Sequence, residues 1–198
     1  PGLDQISYSP EKGLELGALV TLRRLNRNPT IRRHYPILAQ AAGQVGTVQL
    51  QTMATVGGNL CQDSCCMYFN RPELVRRPLP PCHKLGGQVC HVVPTSDACW
   101  APYSGDIAPV LIALGATAII ADRGGETSRP LTEIFSGDGA RPLTLDAGQL
   151  ITGIRCPAPP DRSGAAYIKF RQRATMDYPV VGVAACLALD KADLTCVD

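Results

Sequence analysis

Aromatic side chains are scarce, 5% of the 198 residues, with a single tryptophan. They nowhere interleave with a basic stripe, and the net charge is only +2. A nucleic-acid-binding face is therefore not expected. Long apolar runs are missing too. Val110 to Ile120 is the longest, about half the roughly 20 residues of a membrane span, and it contains Gly115 and Thr117. No membrane segment is expected. The opening Pro1-Gly2-Leu3-Asp4 has neither the basic nor the apolar part of a signal peptide. No G-x-G-x-x-G follows a candidate strand, so a Rossmann site is not expected. Internal repeats and low-complexity tracts are absent as well.

What the chain has in plenty is cysteine. A 45% apolar content can fill the core of one compact domain or two small ones. Nine cysteines is an odd count, whereas a disulfide framework favours an even count in a small secreted domain. With no visible export signal, this points to a reducing compartment, the cytoplasm, with thiols free to bind metal. Cys66, Cys82, Cys90 and Cys99 follow one another at intervals of 16, 8 and 9 residues. They occupy a Pro-rich polar stretch, 63–103, without helical or strand period. A loop that long in a compact domain is usually functional or disordered, and a bound group would order it.

Four converging thiolates suit a [4Fe-4S] cluster, provided the loop folds back on itself. Pro78, Pro80-Pro81, Gly86-Gly87 and Pro94 provide the turns. Structural zinc is the rival, but it usually shows short cysteine pairs. Cys61-x3-Cys65 fits that range without a second pair to complete it. Unligated thiols are the third reading. Cys65 competes with its neighbour Cys66 as ligand. Cys61 reads as a small buried residue, Cys156 and Cys186 as strand residues in the core, and Cys196 as part of a tail. His83 and His91 each adjoin a candidate ligand. Each is either a hydrogen-bond partner for a cluster sulfur or a solvated loop residue.

The pattern predicts an α+β fold, a mixed sheet with helices. Leu14 to Leu19 reads as a strand. Thr21 caps a helix over Leu22 to Arg27 that Asn28-Pro29 ends. Ile31 to Ala42 reads as one helix, with Ile31, Tyr35, Leu38 and Ala42 at helical spacing. Residues 44–60 read as an extended approach to Gly57-Gly58. An apolar helix is expected from Asp106 to Leu114, then a strand from Ala116 to Ala121 and a turn at Arg123-Gly124-Gly125. A short helical piece at Leu131 to Phe135 and a strand from Gln149 to Cys156 follow. Pro157 to Pro160 reads as a linker. Tyr167 to Gln172 and Val180 to Leu189 read as strands of a following unit that the chain does not complete.

Thr55-Val56-Gly57-Gly58-Asn59-Leu60 contains the kind of glycine pair that lets backbone N–H groups approach a phosphate. Glycine pairs also mark many ordinary turns. Asp106 begins a helix, where the macrodipole favours an acid. Lys169 sits in a strand whose alternation also allows a solvated face.

Together with Leu16-Gly17-Ala18, Gly105-Asp106-Ile107-Ala108-Pro109, Leu150-Ile151 and Tyr167-Ile168-Lys169-Phe170-Arg171-Gln172-Arg173, these pieces resemble the FAD-binding subunit of the molybdenum hydroxylase family. That group contains xanthine dehydrogenase and carbon monoxide dehydrogenase. The resemblance runs nearly end to end, and it implies that the family's first FAD subdomain would precede Pro1. Residues 1–156 would be the second FAD-binding subdomain, and 157–198 the start of an incomplete C-terminal one. The cysteine-rich insertion of about forty residues, 63–103, resembles the beta subunit of 4-hydroxybenzoyl-CoA reductase, whose loop holds a [4Fe-4S] cluster.

The resemblance implies FAD contacts from Thr55, Gly57, Gly58, Asn59, Asp106, Leu150 and Lys169, the last as a cation near the isoalloxazine ring. It implies cluster ligation by Cys66, Cys82, Cys90 and Cys99. The implied role is electron transfer from a low-potential donor through [4Fe-4S] and FAD to a [2Fe-2S] subunit and a molybdenum-binding subunit that carries the substrate site. A related hydroxylase running in the oxidative direction is the alternative, and a zinc-stabilised interaction module a third reading. Arg71, Arg76, Arg77 and Lys84, opposed by Glu73 and Asp97, suggest that the loop docks an acidic, ferredoxin-like donor. An ordinary solvated loop has the same composition.

Overall fold

The computed structural model describes residues 2–190 and 195–196. In chain order its elements are β1 (Ile6–Ser9), β2 (Gly13–Gly17), α1 (Leu22–Arg27), α2 (Pro29–His34), α3 (Pro36–Gly43), α4 (Val48–Met53) and α5 (Val56–Leu60). There follow α6 (Glu73–Arg76), α7 (Ile107–Ala113), β3 (Thr117–Asp122), β4 (Gly125–Pro130), β5 (Leu150–Cys156), β6 (Ser163–Phe170) and β7 (Val181–Ala188). Strands β1 to β5 form one antiparallel sheet in the order β1-β2-β5-β3-β4, while β6 and β7 form a separate hairpin. The expected α+β class holds, and the named strands pair antiparallel throughout rather than as the mixed sheet expected. Among the described residues, no helix is long and apolar enough to cross a membrane.

Local signals set the helix limits. The Thr21 hydroxyl accepts from the Arg24 amide, and the Asn28 side chain accepts from the Thr30 and Ile31 amides. Each caps a helix as its residue type predicts. The single helix expected over Ile31 to Ala42 is two. Tyr35 adopts φ −134°, ψ 55°, because a residue before proline is pushed out of helical geometry, and Pro36 starts α3. The Tyr35 hydroxyl then donates to the Pro157 carbonyl at 2.9 Å. Residues 44–60 are also not extended. Thr47 and Thr55 each cap a short helix, α4 and α5.

The core lies between the five-stranded sheet and α1, α3, α5 and α7. Leu14 and Leu16 of β2, Ala118 and Ile120 of β3, and Ile154 and Cys156 of β5 meet Leu22, Leu25, Leu38, Leu60, Val110 and Leu111. Cys156 is wholly buried, and burial pushes its thiol up to about 12, so it packs as a small apolar side chain. Cys61 is exposed rather than buried as expected. The hairpin packs through α3 and α7 and presents Ile168, Phe170, Val181, Val183 and Leu187 to solvent on its other face.

Candidate functional site

The Gly57-Gly58 pair is the first turn of α5. Its opening amides are already satisfied: Val56 donates to the Val20 carbonyl, Gly57 to Ala18, and Gly58 to the Thr55 hydroxyl. A Cβ on Gly57 would stand 3.0 Å from the Ala18 Cβ and 3.1 Å from its carbonyl oxygen. The close approach read from the sequence is thus made at Gly57 by the protein's own chain. Gly58 is exposed, with the Thr55 hydroxyl as the one atom near a Cβ placed there. Ala18 donates in turn to the Thr152 carbonyl of β5. Two residues before Thr152, Leu150 is 69% exposed.

Asn59, two residues after the close approach, is buried. Its side-chain oxygen accepts from the Ile107 amide at 3.3 Å and so serves the start of α7. Asp106, expected at that helix start, makes no capping hydrogen bond. Its carboxylate turns instead to the hairpin. The Lys169 ammonium donates to it at 2.9 Å and the Tyr167 hydroxyl at 3.0 Å, while Lys169 also reaches the Gln44 carbonyl at 3.1 Å. Side-chain exposure is 0% for Lys169 and 5% for Asp106. Burial pushes the Asp106 carboxyl up, and Lys169 and Tyr167 pull it back. Of the seven residues expected at a flavin, the structure brings Asn59, Asp106 and Lys169 into one junction and ranges Thr55, Gly57 and Gly58 along α5 beside it. Tyr167 belongs to the same junction and was missed. The signal was available, since it lies two residues from Lys169 and so on the same face of a strand.

In the 63–103 loop, Cys66, Cys82, Cys90 and Cys99 all line one cavity. Tyr68, Phe69, His83, Lys84, His91 and Trp100 complete much of its wall. Cys65 is not in that wall. Its amide donates to the Pro102 carbonyl, joining the two ends of the loop. The four cysteines are free thiols. The Phe69 amide donates to the Cys66 sulfur at 3.2 Å and the Val93 amide to the Cys90 sulfur at 3.3 Å. At Cys90, slight desolvation is outweighed by amides from Val93, Val92 and Trp100, which hold the thiol below its ordinary value. His83 and His91 face the Ser96 and Pro80 carbonyls at 3.4 and 2.8 Å. They brace the loop across its turns. Among the described residues no group of three or more His, Cys, Asp or Glu side chains is placed to hold a metal ion.

The loop reaches the first junction through Tyr103, whose hydroxyl donates to the Asn59 and Leu60 carbonyls at 2.8 and 3.2 Å. Lys84, expected on the loop surface with Arg71, Arg76 and Arg77, is instead buried, with a side chain 6% exposed. Arg76 is half-buried: its Nε donates to the Arg71 carbonyl and its guanidinium lies over Phe69. Arg71 and Arg77 are exposed as expected.

Residues 1–159 match the model of the family described as the FAD binding domain in molybdopterin dehydrogenase. Aldehyde oxidoreductase FAD-binding subunit PaoB of Escherichia coli K12 is 34% identical over 96% of this chain and 62% of its own length. The nicotinate dehydrogenase FAD-subunit of Eubacterium barkeri is 25% identical over 92% of this chain and 49% of its own. The chain thus spans about half to three-fifths of these relatives. Among solved structures, carbon monoxide dehydrogenase from Hydrogenophaga pseudoflava superposes with a TM-score of 0.69 at 20% identity, covering 94% of this chain and 50% of that one. Quinoline 2-oxidoreductase from Pseudomonas putida 86 gives 0.68 at 23%, covering 98% and 52%. The sheet and its helices are thus a shared architecture, and the chain belongs to the FAD-binding domain family of molybdopterin dehydrogenases.

Proposed function

We propose that this chain is part of the FAD-carrying, electron-transfer subunit of a multi-subunit molybdenum hydroxylase-type oxidoreductase, working in a reducing cytoplasm, and that its inserted loop holds a [4Fe-4S] cluster. The observation that carries the cluster is that Cys66, Cys82, Cys90 and Cys99, 33 residues apart end to end, line a single cavity. A lone zinc ion needs its ligand atoms within about 2.3 Å of one point. Thiols set around a cavity rather than about one point suit a larger centre.

When bound, FAD exchanges electrons singly or in pairs and a cluster exchanges them singly. The chain's residues supply the surroundings. Amides aimed at the Cys66 and Cys90 sulfurs offset thiolate charge. Thr55, Gly57, Gly58, Asn59, Asp106, Leu150 and Lys169 serve the flavin, Asp106 and Lys169 as a mutually neutralised pair. The division near residues 156–157 is supported by the end of the family match at 159 and by the change of sheet there. Residues 191–194 and 197–198 of that second unit lie outside the described residues. FAD content of the purified complex tests the flavin assignment. Gly58→Val should lower FAD affinity at least tenfold-scale, about 1.4 kcal/mol or more, because a branched side chain fills the open position over Thr55. Undiminished FAD occupancy would put the cofactor elsewhere.

The relatives' names favour the oxidative direction, in which a molybdenum-binding subunit and a [2Fe-2S] subunit deliver electrons to this chain. The spaced cysteines favour a second reading, a 4-hydroxybenzoyl-CoA reductase-like enzyme in which electrons run the other way. In either direction the loop is the docking place for an acidic, ferredoxin-like protein, and exposed Arg71 and Arg77 supply the attraction. Reversing both charges should slow the bimolecular step with ferredoxin several-fold at low salt and flatten its salt dependence, with a neutral chemical mediator unaffected. An unchanged stopped-flow rate at low ionic strength would remove the docking assignment. Arg76 is unsuited to this test, because its guanidinium holds the loop together.

A further inference from the structure

Lys84 follows Cys82 by two residues and lines the cavity shared by the four cysteines. Its ammonium is the buried cation of the loop. It donates to Asp63 at 2.6 Å, to the Ser64 carbonyl at 2.9 Å, to the Ser64 hydroxyl, and more distantly to the Gly139 carbonyl at 3.4 Å. It also lies 5.0 Å from the Phe69 ring centre. The Gly139 amide donates to the Cys99 carbonyl at 3.0 Å, and a Cβ on Gly139 would come within 2.6 Å of the Ala101 nitrogen. Segment 136–141 is thereby pinned to a cysteine residue on one side and to Lys84 on the other. The two charges of the Lys84–Asp63 pair are not screened alike. Lys84 is 6% exposed and Asp63 65%, so water weakens the field of the anion far more than that of the cation. The ammonium and the four cysteines thus belong to the wall of one cavity.

We infer that Lys84 sets the reduction potential of the redox centre held by the loop, raising it above what four thiolates alone would give. The inference rests on the cluster reading. A four-thiolate cluster gains one negative charge with each electron it accepts, and a fixed buried cation beside it stabilises the reduced form. Charge and hydrogen bonding around the sulfurs are the protein's means of tuning such centres. Lys84 is thus a tuning and positioning residue, and Asp63 is its partial counterweight.

The test is a redox titration of the complete complex followed by the cluster's electron paramagnetic resonance, in the wild type, Lys84→Gln and Asp63→Asn. Lys84→Gln is expected to keep its iron and sulfide. At fixed solution potential its reduced-to-oxidised ratio falls about tenfold, equal to ~59 mV for a one-electron couple. Asp63→Asn removes the anion from an exposed site and moves the ratio upward. Full iron content with an unmoved ratio in both variants overturns the inference. If Lys84→Gln loses its iron, Asp63→Asn decides: a rise supports the tuning role, and no change or a fall overturns it. A wild-type complex without iron or sulfide sinks the cluster reading itself, and metal analysis detects that before any titration.

Discussion

Replacing Cys82 or Cys90 by serine removes iron and sulfide from the anaerobically isolated complex, and Cys186→Ser leaves both in place. Cys82 is buried in the cavity wall, tied into the loop by the Leu85 and Gly87 amides on its carbonyl. Against slight desolvation, amides from Val93, Val92 and Trp100 hold the Cys90 thiol below its ordinary value, and the thiolate is the ligating form. Serine keeps the size of the side chain but not the soft sulfur donor that iron–sulfur ligation uses. Cys186 lies in β7, outside that wall. The predicted pattern is all-or-none in metal content, read by iron and sulfide analysis and by loss of the broad visible absorption. Retention of iron in both Cys82→Ser and Cys90→Ser would mean that the cavity is only a packing gap.

The second large effect concerns Lys169. Lys169→Met strands the buried Asp106 carboxylate with the Tyr167 hydroxyl as its main remaining partner. Breaking a buried ion pair from one side costs about 3–5 kcal/mol, which in a chain of this size lowers the unfolding midpoint by roughly 10 °C. Replacing both, Asp106→Leu with Lys169→Met, leaves no uncompensated charge and should recover much of the loss, so that the double variant is more stable than the sum of the singles. Differential scanning calorimetry on the complete protein reads both. Simple additivity would show that the two side chains are not coupled, against their 2.9 Å contact. The pair also fastens β6 to the start of α7, so hydrogen exchange in the hairpin should rise in Lys169→Met.

Sequence reasoning placed the elements with strong local punctuation. Thr21, Asn28-Pro29 and the apolar run after Asp106 gave α1 and α7 nearly to the residue. It missed elements that tertiary context creates. β4 reads Gly-Glu-Thr-Ser-Arg-Pro and is mostly exposed; the ladder to β3 makes it a strand, with almost no apolar alternation to announce it. α4 and α5 have polar and glycine-rich sequences. Their threonine caps were visible at 47 and 55, but the glycines outweighed them. The two functional centres were legible as residue types rather than as geometry. Cysteine spacing singled out the four thiols, yet nothing local showed that Cys66 rather than Cys65 faces the cavity. The charge on Lys84 was read as surface because its partners Asp63, Ser64 and Gly139 lie 20 to 55 residues away. Lys169 was expected as a cation near a flavin ring, and its buried partner Asp106 lies 63 residues upstream.

Iron, acid-labile sulfide, zinc and FAD, measured together on the anaerobically purified complex, test the central claim most directly. The predicted result is about four irons and four sulfides for each copy of this chain, with one FAD and no stoichiometric zinc. One zinc per chain with no sulfide would contradict it, and would turn the cysteine loop into a structural clasp on a flavin domain.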